Sequence, residues 1–208
     1  MKLLELFESI NGDKHAAFCF GRMNPPTVGH KQLLDTVASQ GGDYFIFPSH
    51  PTPKQKKQKL ANPLSNEEKI NFLQLINPEH SRHIINDPNL TTFLSVCSYL
   101  YSRGYNHVTI VAGNDRLDEL VGLCKQYNGA EDKAHGYYKF DTIDKKSSGS
   151  RDPDGEGLSS ISGTKAREAA EKGDIEEFRK ITGAGEHADD MLNAVRKGLG
   201  IKEIEHAG

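Results

Sequence analysis

Apolar residues fall in short runs separated by polar, Gly- and Pro-bearing stretches, and their period changes along the chain. Ala16-Ala17-Phe18-Cys19-Phe20 is a continuous apolar run and predicts a buried parallel strand. Leu33, Leu34 and Val37 then recur at helical spacing. The aromatic segment Asp43–Pro48 predicts a second strand, closed by its proline. Ser65-Asn66-Glu67-Glu68 reads as a capping box for a helix carrying Ile70, Phe72, Leu73 and Ile76 and stopping before Pro78. His83-Ile84-Ile85 is a third strand candidate. Thr92 to Arg103 predicts a helix with Phe93, Val96, Cys97 and Leu100 on one face and Gly104 at its end. His107 to Ala112 predicts the central strand, which runs into Gly113-Asn114-Asp115 and a helix over 116–123. Tyr137 to Ile143 is a fifth strand candidate.

The segment 144–157 is rich in Ser, Gly and Asp and is expected to be a mobile loop. Residues 159–167 open a helix that ends near Gly173. Asp174 caps the next, with Ile175, Phe178 and Ile181 inward, and a last helix uses Met191, Leu192 and Val195. Strands alternating with helices, then a helical tail, predict an α/β fold: about five parallel strands, helices on both faces and a C-terminal helical extension. The expected division is an N-terminal helix over 1–12, a main domain over 13–173 and the extension over 174–208.

Composition narrows the class. The 208 residues suit one such domain with a small addition. Hydrophobic content of 36% and a mean hydropathy of -0.62 describe a soluble chain, and no run approaches a membrane span. The net charge of -3 argues against a dedicated nucleic-acid binder. Cys19, Cys97 and Cys124 are widely spaced, which points to reduced, cytoplasmic usage and not to a disulfide framework. Residues 1–10 are too short and acidic for a secretory signal. They read as an amphipathic helix that packs on the domain or on a partner, another protein or a second copy.

Two segments carry candidate chemistry. The first is the strand-to-helix turn Gly21-Arg22-Met23-Asn24-Pro25-Pro26-Thr27-Val28-Gly29-His30. In an α/β sheet such a turn lies at the carboxyl end of its strand, where ligands bind. Gly21 and Gly29 allow close backbone approach, the prolines stiffen the turn, and Thr27 is a candidate N-cap. The N–H groups behind Thr27 and the helix dipole favour an anion, and His30 in the first turn offers a donor to a phosphoryl oxygen. The second is Ile161-Ser162-Gly163-Thr164-Lys165-Ala166-Arg167, with hydroxyls at a helix start and a forked cation one turn in.

Thr27-Val28-Gly29-His30 resembles the (H/T)-x-G-H signature of the nucleotidyltransferase α/β-phosphodiesterase superfamily, and the second segment resembles its I-S-S-T-x-x-R motif, with Gly163 replacing the second serine. The resemblance extends from about His15 to Ile181. It implies a Rossmann-like fold and an enzyme that joins a nucleoside triphosphate to a phosphorylated acceptor, with Mg²⁺ and release of pyrophosphate. His30 would then contact the α-phosphate, with Thr27 holding the same region. Gly21, Arg22 and Met23 would line the nucleotide, and Ser162, Thr164 and Arg167 would hold the β- and γ-phosphates. One lysine of the polar loop 49–59, Lys54, Lys56 or Lys57, would close over phosphate.

Gly113-Asn114-Asp115 resembles the G-x-D element of nicotinamide mononucleotide adenylyltransferases; a simple helix cap by Asp115 accounts for it equally. Mg²⁺ would be held by phosphates and water, with no protein metal ligands assigned. His80 and His83 are expected on the surface, and His50 in the loop is a weaker phosphate candidate. Among members of the superfamily it resembles, the implied acceptors are nicotinamide mononucleotide, phosphopantetheine or an alcohol phosphate, the last with CTP as donor; Gly21-Arg22, the lysine-rich loop and Ala112-Gly113-Asn114-Asp115 lean toward the first. A non-catalytic nucleotide-binding or assembly module is the reading of another class.

Overall fold

The computed structural model describes residues 12–51, 59–149 and 162–202. The expected N-terminal helix, the lysines at 54, 56 and 57, and the segment 150–161 lie outside the described residues.

Four strands, β1 (His15–Gly21), β2 (Asp43–Pro48), β3 (His107–Ala112) and β4 (Thr142–Ser147), form one parallel sheet in the order β2-β1-β3-β4. From β1 the chain crosses to β2 on one side and later returns to β3 on the other. The strand order therefore reverses between β1 and β3, and a crevice opens at their carboxyl ends. Registry brings those ends level: Gly21 faces Pro48, and Ala112 faces Ser147.

Seven α-helices among the described residues surround the sheet: α1 (Val28–Ala38), α2 (Asn66–Ile76), α3 (Phe93–Ser102), α4 (Asn114–Tyr127), α5 (Gly163–Lys172), α6 (Ile175–Thr182) and α7 (Ala188–Leu199). Alternation along β1 sends Ala16 and Phe18 into a core with α3 and α4, and Ala17 and Cys19 into a core with α1 and α2. A third apolar cluster joins α5, α6 and α7 to Leu64 and Phe72. The helix starts follow the sequence: Thr27, Ser65 and Thr92 each close a capping box, and Asp174 accepts from Glu177 N at 3.0 Å.

Two strand expectations change. Residues 83–85 form no ladder strand; Ile84 makes an isolated parallel bridge to Ile46, and Ile85 N donates to Ile46 O at 2.9 Å. The segment Tyr137 to Ile143 is mostly irregular, and the last strand begins at Thr142. Tyr138 and Phe140 are buried because the chain doubles back along α4. Tyr138 Oη donates to Cys124 O at 2.9 Å, and the Asn128 side chain pairs with both backbone groups of Phe140. The sheet of the described residues thus has four strands where about five were expected, and residues 144–147, expected in a loop, belong to β4.

The three cysteines are free and buried. Cys97 and Cys124, distant in sequence, bring their sulfurs to 3.8 Å between α3 and α4. No helix among the described residues is long and apolar enough to cross a membrane.

Candidate functional site

The turn that leaves β1 is tightly built. Met23 is 1% exposed and holds a left-handed backbone at φ 50°, a conformation that costs free energy for a residue with a side chain. The Asn24–Pro25 peptide is cis. Asn24 is buried and pairs through its amide with both backbone groups of Leu64: Nδ2 donates to Leu64 O at 2.8 Å, and Oδ1 accepts from Leu64 N at 3.1 Å. Its own carbonyl accepts from Arg167 Nη1 at 3.0 Å. One residue of the first motif therefore docks the second motif and the chain entering α2.

Thr27 caps α1, and the third helical residue, His30, completes a capping box with its ring. Thr27 N donates to His30 Nδ1 at 3.0 Å, and Thr27 Oγ1 lies 2.9 Å from the same nitrogen. Because Nδ1 accepts the backbone proton, the neutral ring carries its own proton on Nε2. His30 is buried at 8% exposure, yet it lines the cleft.

On the other wall, Ser162 caps α5 by accepting from Lys165 N at 3.2 Å. Arg167 Nη2 donates to Thr164 Oγ1 at 3.0 Å. Burial first, and then the nearby charge of Arg22, hold the Arg167 guanidinium below its usual pKa, with Glu168 and Glu171 opposing. Arg22 and Arg167 are thus close enough for their like charges to repel.

These walls enclose one cleft of about 570 Å³, at the carboxyl ends of β1 and β3. Gly21, Arg22, Met23, His30, Gly113, Asp115, Ser162, Thr164 and Arg167 all line it. Two expected residues stand apart from the lining: Thr27, 2% exposed, lies behind His30 as the cap, and Gly29 sits in the first turn of α1. Gly113 is the N-cap of α4, so Asp115 is not the cap; it lies exposed in the first helical turn. Gly163 leaves little room for a side chain: an added Cβ would lie 3.2 Å from Arg167 Nη1, which would have to give by a few tenths of an ångström, and 3.6 Å from Asn24 O. The glycine at this motif position thus keeps space beside the guanidinium.

Sequence reasoning missed several lining residues: Phe20, Ser49, Asn62, Thr91 and Arg116. Ser49 and Asn62 were hidden in polar stretches, and nothing local marks Thr91 or Arg116; only the folded order of the strands brings them here. Lining arginines 22, 116 and 167 face a single lining carboxylate among the described residues, Asp115. The cleft is therefore cationic in a chain of net charge -3.

The other histidines lie elsewhere. His80, expected on the surface, is buried: Nδ1 lies 3.1 Å from Tyr44 Oη and Nε2 lies 2.9 Å from Asp35 Oδ1. Asp35, Glu79 and His80 bring ligand-type atoms within 4.8 Å of one another, but Lys31 contacts both carboxylates and supplies the positive charge there. His50 is buried with its Nδ1 2.8 Å from Asn66 Nδ2.

No curated protein matches the chain. A family model described as cytidylyltransferase-like matches residues 18–169, from the second half of β1 to within α5, and so takes in both motifs and the cleft between them. With its parallel sheet, its strand-order reversal and its two helix starts on one crevice, the chain belongs to the cytidylyltransferase-like family of nucleotidyltransferases.

Proposed function

We propose that this chain joins a nucleoside triphosphate, ATP in the first instance, to a phosphorylated small-molecule acceptor and releases pyrophosphate. The observation that carries the reading is that His30 and Arg167, from motifs far apart in sequence, line one cationic cleft. A phosphate oxygen of the acceptor attacks the α-phosphorus in line, the bond to the β-phosphate breaks, and pyrophosphate leaves. The acceptor is already ionised, so no general base is required, and catalysis comes from positioning and charge stabilisation.

In this reading His30 donates from Nε2 to the α-phosphate as charge builds on it. Arg167, Thr164 and the start of α5 hold the β- and γ-phosphates, and Arg22 adds a second cation. Thr27 acts behind the site by fixing the ring of His30. The lysines at 54, 56 and 57 are candidates to close over phosphate. Mg²⁺ fits this donor set as an ion carried on the triphosphate, since one lining carboxylate, Asp115, suits an ion held mainly by phosphate and water. When bound it would neutralise charge on the leaving pyrophosphate.

Nicotinamide mononucleotide is the acceptor we favour, from Gly21-Arg22, the lysine-rich loop and Ala112-Gly113-Asn114-Asp115. Phe20 in the cleft lining supports it by offering an aromatic face to a pyridine ring. Phosphopantetheine with ATP, and an alcohol phosphate with CTP, are the competing pairs. Incubating the protein and Mg²⁺ with each triphosphate–acceptor pair and assaying pyrophosphate identifies the substrates. Release with ATP and nicotinamide mononucleotide is expected. Silence with every pair, together with tight triphosphate binding, would identify a non-catalytic module instead.

A further inference from the structure

Lys69 is a charged side chain that the proposed chemistry leaves unused. It lies in α2 with 1% of its surface exposed. Its ammonium donates to Ser49 O at 2.6 Å and to Asn66 Oδ1 at 3.3 Å, both neutral acceptors. Among the described residues no carboxylate pairs with it. A buried lysine usually finds an anionic partner or is replaced by an apolar residue of its size. Here the described residues hold the charge with neutral acceptors and no carboxylate.

Its position suggests what the partner is. Ser49 is the first residue past β2 and lines the cleft. Its N–H donates to Gly21 O at 2.7 Å, so the residue gripped by Lys69 is also tied to the last residue of β1. The next residue, His50, is held by Asn66, which shares the Lys69 ammonium. Pro51, one further on, again lines the cleft. Lys69 and Asn66 thus fix the three-residue root from which the lysine-rich segment departs. Burial lowers the Lys69 pKa from its ordinary 10.5 to about 8 by removing the ammonium from water.

We propose that Lys69 is a positioning residue for the triphosphate: its ammonium clamps the Ser49–Pro51 wall of the cleft, and its uncompensated charge is balanced by the polyphosphate bound there. This rests on the nucleotidyl-transfer reading in that it needs a polyanion in that cleft. The charge acts from behind the wall, through the low-dielectric interior, without touching the ligand.

The test is titration calorimetry of the full chain with sodium tripolyphosphate, ATP and AMP, alongside thermal melting. Lys69→Met keeps length and packing and removes the charge. It is expected to melt at or above the wild type, yet to bind tripolyphosphate and ATP weaker by on the order of tenfold, with a smaller loss for AMP. Asn66→Asp places a carboxylate beside the ammonium and is expected to lower tripolyphosphate affinity in the same way, which keeps the test available should Lys69→Met not fold. Unchanged tripolyphosphate affinity overturns the assignment. So does a loss equal for ATP and AMP, which marks a wall that is merely structural. If the wild type binds neither tripolyphosphate nor ATP, this inference and the nucleotidyl-transfer reading fall together. If the wild type binds and the variants match it, only the role of Lys69 falls.

Discussion

The ring of His30 is committed at one nitrogen before any ligand arrives. Nδ1 closes the capping box with Thr27, which fixes both the tautomer and the ring plane. A donor fixed in advance loses little freedom when charge develops near it, and its contribution appears in the transition state more than in binding. His30→Ala is therefore expected to lower kcat by about 100-fold or more while nucleotide affinity changes little. Steady-state kinetics paired with equilibrium binding checks this, and equal losses in both would contradict the role. Asn24 carries a different load. Its amide makes two buried hydrogen bonds to Leu64, and its carbonyl holds Arg167. Asn24→Ala leaves both Leu64 groups unpaired and should cost roughly 2 kcal/mol of stability or more, read by denaturant unfolding. A variant as stable as the wild type would show that the Leu64 segment does not depend on it. The sequence placed Asn24 inside the motif but could not reveal this role, because its partners lie at distant positions 64 and 167.

Among the elements, those with a strong period or a cap were legible, and those defined by tertiary position were not. β1, β2 and β3 are apolar runs, and every expected cap that falls on described residues formed except the alternative at Asp115. β4 escaped because it is an edge strand of sequence Thr-Ile-Asp-Lys-Lys-Ser, mostly exposed, whose lysines suit a sheet edge and hide the strand pattern. Tyr138 and Phe140 mimicked a strand because both pack inward beside α4. The join between α7 and the chain entering α2 was also unreadable. At Gly198 an added Cβ would lie 1.8 Å from Pro63 O. Gly198→Ala should therefore destabilise the fold by roughly 1–3 kcal/mol despite the better helix propensity of alanine, and an unchanged melting temperature would contradict that packing. α2 brings a pH signature of its own. With the Lys69 pKa near 8 in the fold and 10.5 when exposed, the unfolded chain holds more protons between those values, so stability rises with pH across that window. Any melting advantage of Lys69→Met at pH 7 should shrink between pH 8 and 10.5; a constant gap would mean the lysine is not desolvated as described.

At the scale of the whole molecule, the sheet sorts charge. The chain is acidic overall, yet its arginines at 22, 116 and 167 converge on the crevice where strand order reverses. The two motifs contribute because β1 and α5 meet there, joined through Asn24 and Arg167. Gly183, just past α6, lies against Val28 of the first motif: an added Cβ there would sit 2.7 Å from Val28 Cγ1. The C-terminal helices thus help set the entry to α1. A crystal structure with a non-hydrolysable nucleoside triphosphate tests the arrangement most directly. The account predicts the triphosphate between the starts of α1 and α5, with Nε2 of His30 at the α-phosphate and the Arg167 guanidinium at the β- and γ-phosphates. A triphosphate bound elsewhere, or one touching a single motif, would contradict it.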